Sequence, residues 1–333
     1  MNKKNVFKVV FCLLLVSLIF TSCRGNEGTT VEDPYASYPE KPIKLIVPYA
    51  PGGGSDTIAR AIASSIDLGQ PMVITNIEGS AGTIGIMECY NSEPDGYTLL
   101  CGQPDSLIGT YLAGVLDIDV ALEMPTIATL VEDMNCLVVA YDSPLNNLDD
   151  LKAYAEANPG ELNWAAVGSR GTSHQWSAEI WEALGGIKVN YIPFDSAAKA
   201  RVAVLGGHAD VQLCQLSEAK ALVDGKEMRV LGLAAEERAP FLPDIPTFNE
   251  QGYDVVSGLH RGISCPPDTP PEIIAKLETA LKEVYEDPEF ISVAQDKLGF
   301  VPRFLTSEEI TNIIKERRPV HERIFNEIIN VQY

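Results

Sequence analysis

Positive charge is what this sequence has least of. Its 333 residues carry 25 Lys and Arg against 46 Asp and Glu, a formal net charge of −21. Nucleic acids and anionic lipid head groups hold proteins through Lys and Arg, so both are disfavoured as partners. Histidine is scarce too: His174, His208, His260 and His321 are scattered, without the spacing of a zinc site. The Cys residues show no metal-type pair spacing either. Nucleotide and nucleophile motifs are also missing. Gly54-Ser55-Asp56 stands where a P-loop ends in Gly-Lys-Ser/Thr, and in Val167-Gly168-Ser169-Arg170-Gly171 a valine replaces the first glycine of G-x-S-x-G. Ser173 and His174 could be drawn with Asp210 as a triad, but nothing in the spacing supports it. Catalysis is therefore not expected, and no metal or cofactor is implied. What remains is ordinary globular material, 46% hydrophobic and 21% charged, long enough for two domains of roughly 100–200 residues.

The N-terminus reads as a leader. Lys3, Lys4 and Lys8 precede the apolar run Val9–Phe20, whose twelve residues fall short of the roughly 20 needed to span a bilayer. Thr21-Ser22-Cys23 follows. A basic start, a short apolar core and small residues before a Cys resemble a bacterial lipoprotein signal, with Phe20 where Leu is usual. Residues 1–22 are then the signal peptide and Cys23 the acylated N-terminus; the alternatives are an ordinary secretory signal or a buried helix. Loss of the leader's three Lys takes the formal charge from −21 to −24. Polar, glycine-containing Arg24–Ser37 has no apolar period, so 23–37 reads as an acylated Cys and flexible tether. Cys89, Cys101, Cys136, Cys214 and Cys265 remain, an odd number that reads as small buried hydrophobes.

Beyond the tether, apolar runs alternate with helical periodicities. Strands are expected at Lys44–Val47, Met72–Ile77, Tyr97–Cys101, Thr126–Leu130, Leu137–Tyr141, Leu162–Ala166, Val189–Pro193, Ala209–Leu213 and Val230–Ala234. Helices follow several of them: Thr57–Ile66, one opening at Glu78–Gly85, one around Leu148, Leu151 and Ala155, one carrying Trp176, Ile180 and Leu184, and Ala197–Leu205. This alternation argues for parallel α/β sheets. From Pro266 onward helices dominate, with Ile273, Ile274, Leu277, Leu281 and Val284 on one stripe and Ile310, Ile313 and Ile314 on another. Pro319 is expected to bend the last helix.

Two Gly/Ser-rich loops, Pro51–Asp56 and Gly168–His174, each join a strand to a helix. The free N–H groups and positive dipole end of a helix start attract anions such as carboxylate, and glycine lets a ligand approach the backbone closely. An acidic chain can bind an acid in this way. The alternative is that each loop is merely a tight turn; Ser55 or Asp56 is expected to cap the first helix.

At this point the residues carry a resemblance. Tyr38-Pro39-Glu40-Lys41-Pro42-Ile43, then Ile46-Val47-Pro48-Tyr49-Ala50-Pro51-Gly52-Gly53, resembles the opening of the tripartite tricarboxylate transporter substrate-binding proteins, or Bug family. Pro94-Asp95-Gly96-Tyr97, Leu205-Gly206-Gly207-His208-Ala209-Asp210, Leu242-Pro243-Asp244-Ile245-Pro246-Thr247 and Pro266-Pro267-Asp268-Thr269-Pro270 continue it to the C-terminus. The resemblance implies an α/β type II periplasmic-binding-protein fold: two lobes, 38–139 plus 256–333 and 140–255, with a ligand cleft between them. It implies an extracytoplasmic, lipid-anchored monomer that captures a small carboxylate for integral-membrane permease subunits. A sensing lipoprotein that signals through a membrane partner is the alternative, with a hydrolase using the Gly168–His174 loop behind it.

By the same resemblance Tyr49, Pro51, Gly52, Gly53, Gly54, Ser55 and Asp56 form one wall of the cleft, Asp56 as a brace more than a contact. Ser169, Arg170, Gly171, Thr172, Ser173 and His174 form the other. Two stretches depart from the family pattern. Asp195-Ser196-Ala197-Ala198 replaces a Gly-rich turn and offers Asp195 and Ser196 to the cleft. His260-Arg261-Gly262 replaces Trp-Phe-Gly. Arg261 reads equally as a bidentate clamp on a second carboxylate, favouring di- or tricarboxylates, or as a surface salt bridge to Asp254 or Glu250. Arg170 is a rival for the clamp.

Overall fold

β1 (Ile43–Val47) shows how the sequence builds its sheet. Ile43, Leu45, Ile46 and Val47 are fully buried, and only Lys44 reaches outward, to Glu88 at 3.2 Å. A strand covered on both faces needs a continuous apolar run, as here. α1 (Gly54–Ser65) follows and packs Ile58, Ala59 and Ile62 inward. β2 (Met72–Asn76), α2 (Thr83–Tyr90) and β3 (Thr98–Gly102) complete a parallel unit with β1 in the centre. The computed structural model describes residues 34–167, 172–194 and 196–329, with backbone alone for Ala81, Thr172, Ser173, His174, Ile328 and Ile329. The leader, Cys23 and most of the tether lie outside the described residues, as do Gly168, Ser169, Arg170, Gly171 and Asp195. Tyr38–Tyr333 groups as one compact unit.

After the short helices α3 (Leu107–Leu112) and α4 (Val120–Glu123) comes β4 (Thr126–Ala140), fifteen residues long. Two strands, Thr126–Leu130 and Leu137–Tyr141, were expected here with a break between them. The polar residues between them, Glu132, Asp133 and Asn135, are buried within one continuous strand. Each is satisfied by a side chain distant in sequence: Arg303 donates to Glu132, Arg261 to Asp133, and Gln215 to Asn135. Burial without such partners would cost about 1–3 kcal/mol per group.

A second parallel unit follows: α5 (Leu148–Ala157), β5 (Asn163–Val167), α6 (Thr172–Ala183), β6 (Asn190–Phe194), α7 (Ala197–Leu205) and β7 (Val211–Gln215). β5 pairs with β6 and β7 in parallel. Then come α8 (Leu216–Asp224), β8 (Met228–Leu233) and β9 (Gly258–Ser264), and α9 (Pro271–Glu286), α10 (Pro288–Ser292), β10 (Val301–Thr306) and α11 (Ser307–Ile324). β9 and β10 have no counterpart among the expected strands. α11 runs helical through Pro319 to Ile324, with a capping box of Thr306 and Glu309 at its start.

The strand order is β2-β1-β3-β9-β4-β7-β5-β6, with β8 and β10 also on β4. The sheet is mixed rather than parallel throughout, because β9, β10, β7 and β8 all lie antiparallel to β4. The N-terminal part of β4 pairs with β9 and β10, and the part from Asn135 onward with β7 and β8. Cores form on both sides of this strand: one around Trp164, Trp176 and Trp181, one around Cys136, Val138 and Cys214, one around Ile46, Leu100 and Ile310. All five described cysteines are buried and free. Among the described residues no helix is long and apolar enough to cross a membrane.

The β4–β9 crossing is close. A Cβ on Gly262 would lie 2.1 Å from the Ala128 carbonyl oxygen and 2.6 Å from the Thr129 Cα, both backbone. Gly262→Ala is therefore expected to destabilise the protein by about 2 kcal/mol or more, through forced separation of these strands. Urea unfolding measures it, and an unchanged midpoint would refute the crossing as described.

Candidate functional site

The pairing directions decide where the strand ends lie. β1 is parallel to β3, β3 antiparallel to β9, and β9 antiparallel to β4, so β1 runs the same way as β4. β7 runs against β4, and β5 runs with β7. β1 therefore approaches the middle of β4 from one side, and β5 and β7 approach it from the other. The C-terminal ends of β1, β5 and β7 all point towards the Asp133–Asn135 stretch.

Along the first loop, Pro51, Gly52 and Gly53 are exposed, Tyr49 and Gly54 half-buried, Ser55 and Asp56 buried. Gly52 adopts φ +82, a left-handed turn open to glycine at little cost, and its N–H donates to Asp56 Oδ2 at 2.8 Å. The same carboxylate takes a two-pronged bond from Arg60, at 2.9 Å on each oxygen, and one from Asn76 at 3.0 Å. Burial opposes the Asp56 charge, but bonds from Arg60, Gly52 and Asn76 outweigh it and hold the pKa below the ordinary value. Asp56 thus braces the loop. Tyr49 lies against Gly82, where a Cβ would come within 2.9 Å of its ring; burial raises the pKa of its hydroxyl, with Arg261 pulling the other way.

Neither Ser55 nor Asp56 is the N-cap. α1 starts at Gly54 with Gly53 in the cap position and no side-chain cap bond. Asp56 is turned back onto Gly52, and Ser55 Oγ accepts from Arg261 Nη1 at 2.9 Å and Gln103 Nε2 at 3.3 Å. The first-turn N–H groups of Gly54, Ser55 and Asp56 have no acceptor inside the helix.

Arg261 is not a surface residue. It is 2% exposed in the middle of β9. Its Nη2 and Nε reach Asp133 Oδ2 at 2.6 and 3.1 Å, and its guanidinium carbon lies 5.5 Å from the Phe300 ring centre. The guanidinium also underlies the first loop: a Cβ on Gly54 would sit 2.8 Å from Nη2. Neither Asp254 nor Glu250 is its partner, and Glu250 is paired with Arg238. Asp133 accepts in addition from Ser217 N–H at 3.2 Å and Ser217 Oγ at 2.7 Å, at the start of α8. One buried ion pair thereby joins the starts of α1 and α8. Beside it, burial and the nearby Asp133 push Glu218 up to about 7.

Of the other expected site residues, Thr172, Ser173 and His174 form the start of α6, whose side chains are outside the described set, as are Ser169, Arg170, Gly171 and Asp195. Ser196 caps α7, its Oγ accepting from Lys199 N–H at 3.3 Å. Sequence reading missed Asp133, Ser217, Gln103, Asn76 and Arg60. The signal available was the polar Glu132-Asp133-Met134-Asn135 stretch between two apolar runs. His260 binds Asp105 through Nδ1 at 2.9 Å, and among the described residues no group of three or more His, Cys, Asp or Glu could hold a metal ion.

With this geometry in place, known proteins can be compared. The family described as tripartite tricarboxylate transporter family receptor (TctC) matches residues 58–329; the match begins inside α1, just after the first loop. A UPF0065 protein of Bordetella pertussis is 30% identical over 286 residues, 84% of this chain and 87% of its own. A TctC solute-binding protein from Polaromonas, solved without ligand, superposes with a TM-score of 0.72 at 27% identity, covering 87% of this chain and all (100%) of that one. MatC from Rhodopseudomonas palustris, solved with bound malate, gives 0.73 at 26% identity over 86% and 100%. The periplasmic-binding-protein fold expected from the sequence is the fold observed.

Two outcomes test the Arg261 cluster. Arg261→Ala leaves Asp133 buried without its cation and is expected to cost about 3–5 kcal/mol in urea unfolding, whereas Arg261→Met with Asp133→Leu recovers most of that loss. Glu218 carries a folded pKa above its unfolded one, so its contribution is full below about pH 4.5 and fades as pH rises through about 7. Glu218→Gln should match the wild type near pH 4.5 and exceed it by about 2–4 kcal/mol at pH 8. Equal stability at both values would contradict the burial.

Proposed function

The chain belongs to the tripartite tricarboxylate transporter receptor family, and we propose that it is an extracytoplasmic solute receptor for a small carboxylate, with a dicarboxylate favoured. The observation that carries this reading is the uncapped start of α1. Gly53 offers no side chain to the first-turn N–H groups, and the helix has twelve residues whose dipole adds to their pull. A carboxylate placed there meets oriented donors whose glycines let it come close. The malate held by MatC is a compound of the kind such donors accept.

In this reading Ser169, Arg170, Gly171, Thr172, Ser173 and His174, with Asp195 and Ser196, supply the second wall of the ligand site. Arg261 acts from beneath the loop: it positions Ser55 and brings positive charge close to the anion, while Asp133 balances it. A second carboxylate then falls to Arg170. Residues 38–139 with 256–333, and 140–255, are the two lobes, and closure about β4 traps the ligand. Cys23 anchors the protein to the membrane, and the tether delivers it at high local concentration to a permease that takes the ligand on. The protein binds its ligand without transforming it.

Calorimetry with malate, other C4–C6 di- and tricarboxylates and a neutral polyol tests the ligand class; binding of the polyol alone would overturn it. Gly53→Asp is the sharper probe. Its carboxylate would cap α1 and occupy the donors, so stability should rise by about a few tenths of a kcal/mol while carboxylate affinity falls about tenfold or more. Retained affinity in the stabilised variant would remove the helix start from the site. Uptake of labelled ligand by cells lacking the protein tests the link to transport.

A further inference from the structure

Cysteine supplies chemistry that the carboxylate site does not use. Among the described residues five cysteines are free and buried. Three of them face backbone carbonyls: Cys89 that of Thr98, Cys101 that of Ser55 and Cys265 that of Pro125. The other two face each other. Cys136 of β4 and Cys214 of β7 are directly opposed in the antiparallel register, between the pairs Asn135–Gln215 and Leu137–Leu213. Their Sγ atoms lie 3.9 Å apart, and the Cys136 thiol also donates to the Cys214 carbonyl at 3.5 Å.

Register alone brings this pair within reach of a covalent bond. Directly opposed residues of an antiparallel pair have Cα atoms about 4.5–5.5 Å apart, inside the roughly 4.4–6.8 Å that disulfides span. The sulfurs have to close by about 2 Å to reach the bonded distance, through side-chain rotation and with no change of register. Both side chains are inside, Cys136 at 0% and Cys214 at 3% exposure, and they share an apolar cluster with Val138, Val204, Leu216 and Leu233. A disulfide carries no donor that such surroundings would leave unsatisfied, whereas two thiols carry two weak ones.

We propose that Cys136 and Cys214 are a disulfide site, linked by exchange with a small-molecule disulfide as the chain folds. One cysteine thiolate attacks the small disulfide, releases a small thiol and leaves a mixed disulfide. The second thiolate attacks the protein sulfur of that intermediate and releases the other small thiol. Two cysteine thiols are oxidised, one small disulfide is reduced to two thiols, and the cysteine protons pass to the departing thiolates.

The step belongs to folding because the finished fold opposes it. The bond from Cys136, together with burial, holds the Cys214 thiol well above its ordinary pKa, so little thiolate exists to attack. Disulfides persist outside the reducing cytosol, where the proposed receptor works, but the chemistry does not depend on that placement. The linkage would close the 78 residues from Cys136 to Cys214, a stretch that includes β5, α6, β6 and α7. Cross-links across long stretches constrain the unfolded chain most. It would also fasten β7 to β4 beside the Gln215–Asn135 bond, so that the start of α8 is held covalently as well as through Ser217 and Asp133.

The test refolds the full chain, reduced and unfolded in urea, in a buffer rich in glutathione disulfide. The folded fraction is isolated by gel filtration, alkylated in urea and digested without reduction. Mass spectrometry should find most of Cys136 and Cys214 in one linked peptide pair, with Cys89, Cys101 and Cys265 alkylated. The linked form should unfold at a urea midpoint about 0.5–1 M above that of the reduced form. Cys89→Ala should keep both the linkage and the shift, and Cys214→Ala should lose both. Alkylated Cys136 and Cys214 in the folded fraction, a linked form no more stable than the reduced one, or preferential linkage through Cys89, Cys101 or Cys265 would each overturn the proposal.

Discussion

The ion pair between Arg261 and Asp133 is the constraint on which the site depends. Asp133 lies in the middle of β4, fully buried, where the partners of that strand change from β9 and β10 to β7 and β8. On one side Arg261 carries the contact to Ser55 and lies beneath Gly54; on the other Ser217 bonds the same carboxylate with both N–H and hydroxyl. Two helix starts more than 150 residues apart in sequence thus share one charge. A buried pair is a poor source of net stability, because desolvation consumes most of its Coulombic gain. Its value here is directional. An apolar pair of the same volume would fill the space but would orient neither the Ser55 hydroxyl nor the start of α8.

That arrangement explains how a chain of net charge −21 could offer the proposed place to an anion. Global charge acts over about a Debye length, roughly 8–10 Å in physiological salt. Within the loop the field is set by nearer groups. Asp56, the acid closest to the helix start, is spent on Gly52, Arg60 and Asn76, and Asp133 is spent on Arg261 and Ser217. Carboxylates with their lone pairs committed repel less than their formal charge suggests, and the backbone donors of α1 are left facing outward.

The β1–loop–α1 unit was legible because each part has a local cause. A continuous apolar run makes a doubly covered strand, glycines make the turn, and Ile58 and Ile62 set the helical stripe. The cap was not legible, since Ser55 and Asp56 are good capping residues whose side chains are drawn away by Arg261, Arg60 and Gly52. β4 was misread as two strands for the same reason: Glu132, Asp133 and Asn135 are affordable inside a strand only because Arg303, Arg261 and Gln215 reach them from far along the chain. β9, with Gly258, His260, Arg261 and Gly262 in seven residues, has the composition of a turn. It becomes a strand because Gly262 permits the close crossing with β4 and because His260 and Arg261 find carboxylates at Asp105 and Asp133. Local periodicity shows elements that bury apolar surface; it does not show elements held by polar pairs across the sheet.

The strand directions take this further. β1, β5 and β7 end facing the same short stretch of β4, so the change of strand partners and, in the proposed function, the ligand coincide there. In the two-lobe reading, any movement of one half against the other must pivot near Asp133. Ser55 and Ser217 would then be displaced relative to each other, and the bonds that join them through Arg261 and Asp133 would be the first to feel it. A ligand that pulls on the first turn of α1 acts on Ser55, one bond from Arg261. In the proposed two-lobe reading, the pair that positions the loop is therefore also the route by which occupancy of the loop would bias the hinge.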